Sequence, residues 1–201
     1  MKKIIALSLL LLALSSSVIG AEVKSPQEVV QNTSAQMLDA LRKNSATLRQ
    51  DSSRIYELVE KIVLPNFDFE VMSRWVLGRA WQQATPDQRR RFADEFRTLL
   101  VRTYAKALLE YSDNEVRVPP QPPSSGQQAT IRTEVQPKTG QPIQINYSMN
   151  QGKEGWKVYD VTVDGVSLVT NYRSTFASQI RDNGLDAVIT DLQQRNAQGG
   201  R

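Results

Sequence analysis

The chain has neither cysteine nor histidine in its 201 residues. Without thiols there are no disulfides, no thiolate metal sites and no cysteine nucleophile. An acylated lipoprotein cysteine is excluded as well. Without imidazole there is no Ser-His-Asp triad and no His-ligated zinc. Carboxylate chemistry survives these losses, and so does a calcium site, but no EF-hand, Gly-rich phosphate loop or other metal motif occurs. Charge of one sign is not in excess, with 25 Lys+Arg against 21 Asp+Glu. The three arginines Arg89–Arg91 open a helical pattern and read as a solvated face. Nothing here points to nucleic acid.

The one apolar run, Ile4 to Leu14 broken only by Ser8, is too short to cross a membrane. It follows Lys2 and Lys3 and precedes polar Ser15–Ser17 and small Gly20 and Ala21. That order describes a secretory signal peptide, 1–21, cleaved after Ala21. The remaining 22–201 has 180 residues, 23 basic and 21 acidic, a net charge of +2. That is enough chain for one domain, 22–196, with a disordered tail at 197–201. The mature product is expected to be soluble and exported, with a bacterial periplasm as its address.

Thr85 to Ser112 reads as one amphipathic rod of roughly 40 Å. Thr85 caps it, Pro86 takes the first helical position and Gln88 completes a capping box. Phe92, Phe96, Leu99, Leu100, Tyr104, Leu108 and Tyr111 recur near the helical period. Such a rod needs a dry partner of similar length. Before it, Ser25-Pro26-Gln27-Glu28 opens a helix with Val30, Ser34, Met37, Leu38 and Leu41 on one face. A second helix is capped by Asp51 or Ser52, and a third starts at Pro65 and ends at Gly78. A short turn through Trp81 then leads to Thr85.

After Asp113 the texture changes. Val116 and Val118 mark a short strand, and PPQPPSSGQQ at 119–128 is a loop. Ile131, Thr133 and Val135 alternate with polar residues, as do Ile143, Ile145, Tyr147 and Met149. Both segments read as strands with one dry face. WKVYDVTV at 156–163 is apolar on both faces, so the facing of Val158 and Val161 stays open. Asp164-Gly165 is a turn, and helices follow at 167–182 and from Leu185. The expected fold is α+β: several N-terminal helices, a curved antiparallel sheet of about four strands, then two C-terminal helices. A sheet curved around a long helix makes a cone, which encloses space unless side chains fill it.

Asp160 and Asp164 are the carboxylate pair to weigh for acid–base work, against a turn residue and a hydrogen-bonded strand residue. Tyr147, Tyr159 and Tyr172 are the oxyanion donors to weigh, against packing. Arg74 and Arg173 suit a phosphate, against a solvated surface.

Three stretches together resemble one family. They are SPQEVVQNTSAQMLDAL, MSRWVLGRAWQQATPDQRRRFADEFRTLLVRTYAKALLEYS and GWKVYDVTVDGVSLVTNYRSTFASQIRDNGLDAVI. The resemblance is to the MlaC, or toluene-tolerance auxiliary, family and covers most of 25–193. It implies a cone holding the tails of a glycerophospholipid, with the head group near solvent. The cargo would be that lipid, with no cofactor and no catalysis. Implied partners are an inner-membrane ABC transporter with a substrate-binding ring and an outer-membrane lipoprotein–porin complex. The function implied is maintenance of outer-membrane lipid asymmetry in Gram-negative bacteria. On the helices, the tail contacts expected are Met72, Trp75, Val76, Phe96, Leu99, Leu100, Tyr104, Leu108 and Val169. On the strands they are Val118, Ile131, Val135, Ile145, Tyr147, Val158 and Val161. Two other classes remain open: a carboxylate- or tyrosine-based enzyme in a cone-shaped pocket, and a periplasmic chaperone for apolar segments.

Overall fold

Ser25 does at the first helix what its sequence context predicts. Its hydroxyl accepts from Glu28 N at 3.2 Å, and Glu28 Oε2 accepts from Ser25 N at 2.7 Å. The helix it starts, α1, runs Pro26–Lys43. The computed structural model describes residues 24–198 except 111, 123 and 125, so the expected signal peptide lies outside the described residues. Val29, Val30, Met37 and Leu41 are buried along α1, whereas Ser34 and Leu38 of the expected stripe are only half-buried.

The next segment departs from expectation. After α2 (Ser45–Gln50) come a tight turn at Ser52–Arg54, α3 (Ile55–Leu58), a wide π turn at Val59–Val63 and a second tight turn at Leu64–Asn66. Pro65 does not start the third helix. Phe67 turns extended and bridges Val158, and Asp68 N donates to Val158 O at 2.9 Å. Asp68 then caps α4 (Phe69–Leu77), accepting from Val71 N at 2.9 Å. Gly78 closes α4 at φ +54, where a Cβ would be strained. The expected turn through Trp81 is a short helix, α5 (Arg79–Gln83), with Trp81 buried under the Arg89 guanidinium, 5.3 Å from its ring centre.

The long rod is shorter than its periodicity suggests. The Thr85–Gln88 capping box is present, and α6 covers Pro86–Tyr104, roughly 28 Å. At Ala105 the bonding tightens. Leu108 N donates to Ala105 O and Leu109 N to Lys106 O, three residues back rather than four, and α7 (Ala107–Glu110) sets off anew. No glycine or proline marks the break. Its cause is tertiary: Ala105 is buried among Met37, Leu41, Leu48, Ile55 and Val59, and the turn brings Leu108 and Leu109 to that cluster too.

The sheet has five antiparallel strands in sequence order, one more than expected. They are β1 (Glu115–Arg117), β2 (Gln128–Gln136), β3 (Ile143–Gly152), β4 (Gly155–Val163) and β5 (Val166–Ser167). Asp164 at φ 46 and Gly165 at φ 84 make the β4–β5 turn. A bulge settles the two-faced strand. Ser148 pairs with Asp160 but Met149 with Val158, so Tyr159 is the extra residue. Val158 and Val161 therefore share one face, with Tyr147 and Met149. Helices α8 (Leu168–Asn183) and α9 (Leu185–Gln198) follow. α9 passes the expected domain end at 196. Asn196 is buried, and its Nδ2 donates to Glu95 Oε2 at 2.6 Å and Glu95 O at 3.0 Å. The rest of the expected tail, 199–201, lies outside the described residues. The class is thus α+β, an open sheet between N-terminal and C-terminal helices.

Candidate functional site

The buried apolar residues form three separate clusters. One joins α4, α6, α8 and α9 through Met72, Val76, Phe92, Phe96, Phe176 and Ile189. A second lies where the start of α1 crosses the sheet, at Val29, Val30, Ile131, Met149, Trp156 and Val158. The third surrounds Ala105 and the end of α1. Beside the second cluster stands apolar sheet surface that is only half-buried. α1 packs on β2 and β4, and α4 and α8 pack on β4. Met149 of β3 is buried with Val29 and Val30 of α1, and Tyr147 and Val161 pack half-buried beside them. The half-buried residues Ile143, Ile145 and Tyr147 of β3 face the same way as half-buried Val161 and Val163 of β4. A contiguous dry patch of this kind in a folded domain marks a place for a ligand.

Tyr147 belongs to that patch. Its side chain keeps accessible surface, yet protein surrounds its hydroxyl. Burial drives its pKa up, with a bond to the Thr133 hydroxyl opposing. Tyr104, at the end of α6, is 38% exposed. Burial, and then its bond with Tyr172, push its pKa up to about 12. Both phenols thus hold their protons to higher pH than an ordinary tyrosine. A raised folded pKa gives stability that is whole below pH 10 and is lost as pH rises toward the folded value. Spectrophotometric titration is expected to show Tyr104 and Tyr147 ionising last, with melting temperature falling between about pH 10 and 12.

The expected tail contacts divide by position. Met72, Val76, Phe96, Leu100 and Val169 lie inside the first cluster, filled by neighbouring side chains. Ile131 and Val158 lie inside the second, and Val135 is buried on the same sheet face. Tyr104 is exposed, Leu108 packs half-buried on the third cluster, Val118, Tyr147 and Val161 pack half-buried on the second, and Ile145 is half-buried on the same sheet face as Tyr147. Leu99 belongs elsewhere. Glu95, four residues earlier on the same helix face, holds Asn196 of α9, so Leu99 packs on the α9 side. Trp75 is 46% exposed and stacks on Tyr159 at 6.5 Å, lining a different cleft. Sequence reasoning passed over Tyr172, the partner of Tyr104, as a wall residue. The sequence offered it as an oxyanion donor and by its place on the α8 stripe. Val118 also lines a cleft of about 350 Å³ between α1 and β1, with Leu38 and Arg42.

Comparison with known proteins agrees with this architecture. The sequence model of one family, described as MlaC protein, matches residues 31–194. The chain belongs to the MlaC family. Toluene tolerance protein ttg2D of Pseudomonas putida is 27% identical over 187 residues, 92% of this chain and 87% of that protein. The intermembrane phospholipid transport system binding protein MlaC of Haemophilus influenzae is 25% identical over 178 residues, 87% of this chain and 83% of that one. Among solved structures, a phospholipid-binding protein from Ralstonia solanacearum, in complex with a phospholipid, superposes with a TM-score of 0.80. It is 28% identical, and the match covers 89% of this chain and all of that one.

Against this MlaC-family frame, the carboxylate pair has structural work. Asp160 accepts from Ser167 Oγ at 2.6 Å and from Val169 N at 3.1 Å, fixing the start of α8. Asp164 accepts from Gln144 N at 3.0 Å across the sheet. Asp160→Asn loses the acceptor for one of two charge-assisted bonds. It is expected to lower stability by about 1 kcal/mol in thermal unfolding, with lipid content unchanged. Among the described residues no group of acidic side chains is arranged to hold a metal ion.

Proposed function

We propose that this chain is a periplasmic phospholipid carrier, holding acyl chains against the half-buried apolar face of β3 and β4. The supporting observation is that apolar patch, bordered by Tyr147 and set in a fold shared with a phospholipid-bound protein. The physical case rests on one magnitude. Each buried methylene is worth about 0.8 kcal/mol, so two chains with roughly 30 methylenes cost on the order of 25 kcal/mol to leave wet. No open groove carries such a molecule through water. A closed apolar gap offers the tails about what a bilayer offers, so transfer runs near balance and its direction comes from partners. The head group stays outside, because burying its charge unpaired is prohibitive. On this reading the signal peptide delivers the carrier to the periplasm. There it exchanges lipid with the inner-membrane ABC complex and the outer-membrane lipoprotein–porin complex.

The test is direct. Protein purified from the periplasm is expected to begin at Glu22. Native mass spectrometry and organic extraction are expected to show co-purified phospholipid. A lipid-free preparation that also refuses labelled phospholipid overturns the reading.

A further inference from the structure

A second concave site lies where the end of α4 and the start of α5 meet α8. It has a volume of about 330 Å³ and is lined by Arg74, Trp75, Gly78, Arg79, Gln82 and Arg173. Most arginines elsewhere sit beside carboxylates, as Arg54, Arg90, Arg91, Arg97, Arg117, Arg181 and Arg195 do. Arg74, Arg79 and Arg173 have no such partner among the described residues. Three guanidinium groups around one hollow repel each other until an anion joins them. Arginine's planar fork suits phosphate oxygens better than a lysine point charge does.

Two details show that the hollow is shaped. Gly78 has no Cβ, and one placed there would lie 3.2 Å from Arg173 Nη2, so the guanidinium rests against bare backbone. Trp75, held by its stack on Tyr159, sets an apolar plane beside the cations. We propose that this cleft binds the phosphate of a phosphate ester, from a phospholipid head group or from a soluble metabolite. Cations hold the phosphate and Trp75 covers the ester carbons. The volume suits a small ester and is too short for an extended acidic peptide. The proposal stands on the cleft alone and does not depend on the tail gap.

The test titrates full-length mature protein with glycerol 3-phosphate and follows the Trp75 indole N–H by NMR. A saturable shift is expected, weakened about tenfold or more in Arg74→Gln/Arg173→Gln. Arg74→Lys/Arg173→Lys keeps the charge without the fork and is expected to fall between. It also serves if the glutamine variant fails to fold. The phosphorus resonance of co-purified phospholipid separates the sources. If it moves in the variant, the head group occupies the cleft; if it stays while glycerol 3-phosphate binding is lost, a soluble ester does. The proposal is overturned if there is no saturable shift up to on the order of 10 mM. An equal response in the glutamine variant, or tighter binding of a polyglutamate peptide through the same arginines, also overturns it.

Discussion

Val161→Asp is expected to strip the protein of phospholipid while leaving it folded. Val161 sits opposite Tyr147 in the β3–β4 register, half-buried beside the second cluster. On the proposed reading an aspartate there meets the acyl chains, among apolar sheet neighbours such as Tyr147, Val158 and Val163. Burying an unpaired carboxylate costs several kcal/mol, and every 1.4 kcal/mol is tenfold in affinity. Without lipid the same carboxylate has space to take up water, so the folded state suffers less than the complex. Phospholipid per folded protein is therefore expected to fall at least about tenfold, measured by phosphorus content after extraction, with helical circular dichroism retained. Leu99→Asp is the control. It points to α9, so it is expected to lower the melting temperature and leave the lipid content of the folded fraction alone. Wild-type lipid content in Val161→Asp would remove β4 from the wall of the site.

The contrast between Val161 and Leu99 shows what the sequence discloses and what it hides. Both are apolar and both lie on an inward stripe by period. Only the pairing of Glu95 with Asn196, 101 residues apart, turns Leu99 toward α9. Local signals were legible because their physics is local. The boxes at Ser25 and Thr85 and the closure at Gly78 follow from residues within one turn. The dry face of β2 was equally plain from alternation. The facing of 156–163 was not, because one bulged residue changes the parity of everything after it and leaves no composition signal. The break at Ala105 and the cap at Asp68 are likewise imposed from a distance, by the cluster around Leu41 and by the hook of Phe67 onto Val158. So the residues of the candidate wall could be named as a set, but not sorted into wall and filled core.

That sorting gives Phe96→Ala a different outcome from Val161→Asp. Phe96 was expected to touch lipid, but it is 0% exposed. Its ring stacks on Phe92 at 5.8 Å and meets Tyr172 and Phe176 edge-on at 5.2 and 6.1 Å. Removing a buried phenyl loses its transfer free energy and leaves a cavity that three fixed aromatic neighbours cannot collapse into, about 3–5 kcal/mol together. For a domain of this size that lowers the melting temperature by on the order of 10 °C. Loss of lipid should follow only in step with unfolding, because the ring is fully enclosed by the side chains of the first cluster. Calorimetry on lipid-free protein isolates the stability term, and lipid content at a temperature where the variant is folded isolates the other. A stable Phe96→Ala protein that has lost its lipid would move Phe96 into the site. It would also make the first cluster, rather than the half-buried face of β3, the floor on which the tails lie.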